Sequence, residues 1–112
     1  MNINVRTRGD VHIIQLQGPL RLGEAVDQFR DAVNEALAAA EPHMVVNLAE
    51  VPMIDSSGVG VLVKALTSAK QRGGMVNLVN PSKFAVQTLR LVGVLSLFGI
   101  FDEEEIAIKS FP

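Results

Sequence analysis

The residues best able to do chemistry lie in one stretch, Met53-Ile54-Asp55-Ser56-Ser57-Gly58-Val59-Gly60, which gathers an acid, two hydroxyls and two glycines. A serine here needs a neighbouring base to act as a nucleophile, and an aspartate after a strand can accept a phosphoryl group. If a helix starts at this point, its unpaired N–H groups point outward and favour oxygen atoms and negative charge. The plainest role is capping, with Asp55 or Ser56 accepting an N–H of the first turn. The remaining candidates are His12, His43 and the acidic run Asp102-Glu103-Glu104-Glu105.

Elements must deliver these residues. Met44-Val45-Val46-Asn47-Leu48 precedes the stretch with the length and apolar character of a strand, and Val61 to Arg72 follows with helical spacing. The motif is therefore a strand-to-helix turn. Upstream, Val5–Arg8 and Val11–Gln17 flank Gly9-Asp10 as a hairpin, and the second segment is apolar on both faces, as in an internal strand. Glu24 to Ala40 reads as an amphipathic helix, with Val26, Phe29, Val33, Ala36, Leu37 and Ala40 inward and Pro42 stopping it. His43 to Leu48 reads as a central parallel strand. A helix over Ser57–Gln71 buries Val61, Leu62, Ala65, Leu66 and Ala69 and ends at Gly73-Gly74.

Met75–Val79 is the next strand. Asn80-Pro81 opens a third helix with Asn80 as cap, running to Val92 with Ala85, Leu89 and Val92 inward. Ser96 to Phe101 holds a last strand, and Asp102 caps a short terminal helix with the glutamates in its first turn. The order is β-β-α-β-α-β-α-β-α. The predicted fold is α/β, a small mixed sheet with helices packed against it, as a single domain over residues 1–112.

This arrangement weighs against enzymatic chemistry. His12 and His43 open their strands while Ser56 follows a strand's exit, which separates base from hydroxyl by roughly 17 Å. The G-x-S-x-G elbow is absent because Ile54 and Asp55 precede Ser56. Two distant histidines and no other paired carboxylates give no metal site. Position 63 is Val, so Gly58-Val59-Gly60 lacks dinucleotide-binding spacing, and no phosphate-binding loop of the G-x-x-x-x-G-K-[ST] type occurs. A phospho-acceptor role for Asp55, as in receiver domains, lacks the acid pair at an early strand exit; the second strand ends in Gly18-Pro19. No cofactor, metal or catalytic residue is expected.

Composition narrows the class further. The 112 residues are 48% hydrophobic and 20% charged, with five Phe and neither Tyr nor Trp, so the core is aliphatic. A net charge of −2 without a Lys/Arg cluster argues against a dedicated nucleic-acid surface. The absence of cysteine fits a cytoplasmic location. Met1-Asn2-Ile3-Asn4 has no basic or apolar leader character, so no signal peptide is expected. The apolar-rich run Leu91–Phe101 is far short of the about 20 residues needed to cross a bilayer. No membrane association is expected.

The Asp55-Ser56-Ser57-Gly58-Val59-Gly60 turn, following an apolar strand and Met53-Ile54, resembles the signature of the STAS family of anti-sigma factor antagonists, related to the cytosolic domains of sulphate transporters. The likeness runs the length of the chain: Gly18-Pro19-Leu20, the long first helix, Gly73-Gly74 before a strand, Asn80-Pro81, and Val92-Gly93 at a helix end. The resemblance implies a non-enzymatic partner switch. The unmodified protein binds an anti-sigma factor that is a serine kinase; phosphorylation of Ser56, with Ser57 the second choice, abolishes binding, and a serine phosphatase restores it. Arg21, Met53, Asp55, Ser56, Ser57 and Gly58 are then the partner-binding residues of a monomer or weak dimer that regulates sigma-factor-dependent transcription. Many family members carry Asp where Arg21 stands, so this cation is expected to pair with Asp55 or with phosphoserine, or to mark a different partner. The alternative it motivates is a phosphorylation-independent scaffold or ligand-sensing subunit of a larger signalling assembly. Gly58 and Gly60 each cost about 1 kcal/mol of helix propensity, which points to a closely approaching partner or to tight helix–strand packing.

Overall fold

The computed structural model describes all residues from Met1 to Pro112. Gly9, at φ 58°, makes the predicted hairpin between β1 (Asn2–Arg8) and β2 (Val11–Gln17). β1 starts three residues earlier than the alternation predicts, because its first residues pair in register up to Asn2 opposite Gln17. Then follow α1 (Glu24–Ala36), β3 (His43–Glu50), α2 (Ser56–Gln71), β4 (Met75–Val79), α3 (Lys83–Leu91), a 3₁₀ turn (Leu95–Leu97), β5 (Gly99–Phe101) and α4 (Glu104–Lys109). The predicted order of elements is the observed one.

The sheet runs β1-β2-β3-β4-β5, with β1 antiparallel and the rest parallel. Successive parallel strands are neighbours, so crossovers of one hand put α1, α2 and α3 on a single face. Their apolar stripes, Val26, Phe29 and Val33 from α1, Leu62, Ala65 and Leu66 from α2, and Ala85 and Leu89 from α3, meet Ile14, Leu16, Val46 and Leu78 in the main core. Each of the Val, Leu, Ile and Phe side chains contributes roughly 1.5–3 kcal/mol of burial, the alanines less. The opposite face carries Val11, Ile13, Val45 and Val79, covered by Ala107 of α4.

Several boundaries differ from the sequence reading. α1 ends at Ala36 and not Ala40, because Ala38 and Ala39 donate to Glu35 and Ala36 in tighter turns while the Arg72 guanidinium takes the Leu37 carbonyl. Ala40 is consequently exposed. α2 begins one residue earlier, at Ser56. Asn80 does not cap α3: it sits at φ 50° and donates its N–H to Phe101, while Ser82 Oγ accepts the Ala85 N–H at 3.1 Å. Val92 lies past the end of α3 and is 51% exposed, not inward. Leu95–Leu97 is a 3₁₀ turn, which shortens the last strand to Gly99–Phe101. Asp102 does not cap α4, whose N-cap residue is Glu103 without a side-chain bond.

Candidate functional site at the start of α2

The chain reaches the motif along two paired loops. β2 and β3 keep register to Gln15–Asn47, then a bulge adds one residue to β3 so that Gln17 faces Glu50. Beyond the strands the pairing resumes: Gly18 N–H donates to Glu50 O, Leu20 N–H to Met53 O at 3.0 Å, and Asp55 N–H to Leu20 O at 3.1 Å. Leu20 and Ile54 form a parallel bridge and are both buried. Two apolar anchors therefore set the height and angle at which Asp55 enters the helix.

Asp55 is the N-cap, in extended conformation (φ −98°, ψ −178°). Its Oδ1 accepts the Gly58 N–H at 3.0 Å, and its Oδ2 accepts the Leu22 N–H at 2.8 Å. One carboxylate thus caps α2 and ties down the loop before α1. Partial burial pushes its pKa up, but the N–H groups of Leu22, Gly58 and Ser57 outweigh this and hold it below the usual 3.8.

Ser56 occupies the first helical position, is exposed, and makes no side-chain hydrogen bond; Ser57, next in the turn, is half-buried. Met53, three residues before Ser56, is half-buried. A Cβ on Gly58 would stand 2.8 Å from Ile54 Cγ1, 2.9 Å from Leu20 Cγ and 3.0 Å from the Leu20 carbonyl. Gly58 is therefore a packing residue, needed for α2 to sit on the paired loops. Gly60 is different: a Cβ there meets nothing within 4 Å. Its bare backbone faces open space.

The structure brings Asp55, Ser56, Ser57, Gly58 and Met53 together and keeps Arg21 exposed beside them. Of the roles left open for Arg21, the ion pair with Asp55 does not form. The chain's four ion pairs are Arg6–Glu104, Arg8–Glu105, Arg30–Asp27 and Lys109–Glu105. Backbone N–H groups already in place satisfy both Asp55 oxygens without ordering a long side chain. The histidines sit at the starts of β2 and β3, away from the motif, and the register pairs His43 with Val11 and His12 with Met44, which puts the two rings on opposite faces of the sheet. His43 stacks on Phe111 with ring centroids 4.8 Å apart.

The acidic run has a use beyond its helix. Glu104 accepts Arg6 Nη2 at 2.7 Å and Asn47 Nδ2 at 2.7 Å, and Glu105 pairs with Arg8. Arg6 and Arg8, two apart on one strand, were the available signal for these bonds. Leu22, 77% exposed beside the motif, had no comparable signal.

The mixed α/β frame, the paired loops and the Asp-Ser-Ser-Gly cap define a domain of a recognisable class. The STAS domain family model matches residues 2–107, and the chain belongs to this family. Among solved structures, the Thermotoga maritima protein TM1081, provisionally described as an anti-sigma factor antagonist, is 27% identical with a TM-score of 0.87, covering 96% of this chain and 92% of that one. The Bacillus cell fate determinant SpoIIAA in its phosphorylated form is 25% identical, with a TM-score of 0.78 and coverage of 97% and 98%. A sulfate transporter family protein from Wolinella succinogenes, 22% identical over 90% of this chain and 84% of that one, shares the fold with a TM-score of 0.75. No helix of this chain is long and apolar enough to cross a membrane.

Proposed function

We propose that this chain is an anti-sigma factor antagonist, a cytoplasmic, non-enzymatic partner switch governed by phosphorylation of Ser56. In the unmodified state its α2 start, with Arg21, Met53, Asp55 and Ser57, binds an anti-sigma factor that is a serine kinase, which frees the sigma factor; the buried Gly58 serves that surface by seating α2 and not by contact. The observation that carries this reading is the Ser56 hydroxyl: exposed, free of hydrogen bonds, and first in a helix whose cap is already supplied by Asp55. A phosphate there adds about −1.5 to −2 charges and three acceptor oxygens. The helix start tolerates that charge through its own N–H groups, so the fold is unchanged while the contact surface is not. A serine phosphatase resets the switch.

Incubation with the cognate kinase and ATP, followed by mass-spectrometric mapping, is expected to place phosphate on Ser56, with Ser57 the second acceptor. Modification elsewhere in the chain contradicts the reading. The exposed, unpaired Arg21 favours one alternative, a phosphorylation-independent scaffold or ligand-sensing subunit, for which an unchanged complex after Ser56→Asp is the distinguishing result.

A further inference from the structure

The charges are segregated along the chain. From Ser56 to Phe101, through α2, β4, α3 and β5, there is no Asp or Glu, while Lys64, Lys70, Arg72, Lys83 and Arg90 all fall there. All 12 acids therefore lie outside this segment, although the whole chain carries −2. α1 repeats the division: Asp31 and Glu35 line the hollow on its β1 side, whereas Arg30 lies towards α2. Arg72 is committed to the Leu37 carbonyl, but Arg21, Lys64 and Lys83 make no ion pair.

Two exposed apolar side chains flank the Ser56 turn at the same sheet edge. Leu22 stands on the loop leaving β2, its backbone tied to Asp55. Phe84, 52% exposed, stands in the first turn of α3, which leaves β4 at that edge. Between Leu22 and α2 is an open hollow of about 350 Å³, bordered by Arg30, Ser57, Gly60 and Lys64, and kept open by the missing Gly60 side chain.

We infer that this face, with Leu22 and Phe84 as apolar anchors and with Arg21, Lys64 and Lys83 outnumbering the Asp55 carboxylate, docks a partner protein whose contact surface is acidic. Large apolar side chains held by a rigid frame are the usual energetic centres of an interface, and a surrounding charge of one sign selects the partner and speeds encounter. Three cations around two apolar anchors suit a protein surface better than a polyanion, which needs a longer basic track and offers nothing to Leu22. The inference rests on reading the Ser56 face as the partner surface, and it supplies the reason a phosphate acts there. With Asp55 already offsetting one of the three free cations, a phosphate's about two negative charges bring the face close to neutral and repel the partner's acids directly.

The test uses ¹⁵N-labelled full chain and three probes: the peptide acetyl-Asp-Glu-Leu-Leu-Glu-Asp-amide, its counterpart with Lys at every acidic position, and a short oligo-dT. The acidic peptide is expected to shift amides at residues 21–22, 56–64 and 83–84, with an effect that fades as salt rises. The Lys64→Glu/Lys83→Glu variant is expected to bind it at least about tenfold more weakly, and Leu22→Ala to weaken it without changing the salt dependence. Unchanged thermal unfolding of both variants separates lost binding from lost fold. Equal shifts from the lysine peptide or from oligo-dT overturn the inference, as does an acidic peptide that leaves these amides unmoved. No step involves a kinase, so the inference and the Ser56 phosphorylation reading can fail separately.

Discussion

The Asp55 carboxylate accepts the Leu22 N–H at 2.8 Å, which joins the cap of α2 to the loop that precedes α1. The other oxygen serves Gly58 at 3.0 Å. A residue that reads in the sequence as a helix cap is thus also the clamp that fixes an exposed leucine next to Ser56.

Replacing Asp55 therefore has two effects. Asp55→Ala is expected to lower stability by about 1–2 kcal/mol, the range of a lost N-cap with a second lost bond. Urea unfolding measures the loss, and hydrogen exchange at the Leu22 amide is expected to accelerate more than exchange in the sheet. Exchange at Leu22 unchanged from the parent would contradict the clamp.

The two glycines of α2 are expected to behave oppositely. Gly58→Ala forces a Cβ against Leu20 and Ile54 and is expected to cost about 1–3 kcal/mol. Gly60→Ala enters open space and is expected to gain up to about 1 kcal/mol of helix propensity. Thermal or urea unfolding of the pair decides this; similar shifts for both would contradict it.

Acid sensitivity follows from three carboxylates. Backbone N–H groups outweigh burial to hold Asp55 below 3.8, Asn47 and Arg6 outweigh burial to hold Glu104 below 4.5, and Arg8 lowers Glu105 from 4.5. Each pKa is lower folded than unfolded. The stability they contribute is present above the unfolded values and is lost as pH falls through the depressed ones. Stability is expected to be level above about pH 5 and to drop below it. The Asp55→Asn/Glu104→Gln variant is expected to be less stable at neutral pH with a shallower acid limb, read from urea midpoints across pH.

Removing the partner of Glu104 isolates the bond between β1 and α4. Arg6→Ala leaves a carboxylate, only 22% exposed, with Asn47 alone. The expected loss is about 1 kcal/mol, with faster exchange in α4 than in α2.

Much of this was legible in the sequence, for reasons tied to particular residues. The apolar run of β3 and the 3.6-residue spacing of α2 marked a βαβ unit, and the turn offered Asp55 or Ser56 as its cap, of which the structure uses Asp55. What periodicity could not supply was anything set by contacts distant in the chain. The early end of α1 depends on Arg72 reaching Leu37, and the role of Glu104 depends on Arg6, 98 residues away. Asn80 and Ser82 are both good caps, and only the Asn80 N–H taken by Phe101 decides for Ser82. Of the roles open to Arg21, pairing with Asp55 lost to backbone donors, which carry no residue-type signal.

The most direct measurement compares the affinity of the cognate anti-sigma factor for the unmodified chain, the chain carrying phosphoserine at position 56, and Ser56→Ala, by titration calorimetry. The phosphorylated chain is expected to bind at least about 100-fold more weakly, a loss of about 2.7 kcal/mol, while Ser56→Ala binds like the unmodified chain and no longer responds to the kinase. Equal affinity of the phosphorylated and unmodified chains would contradict a switch at Ser56.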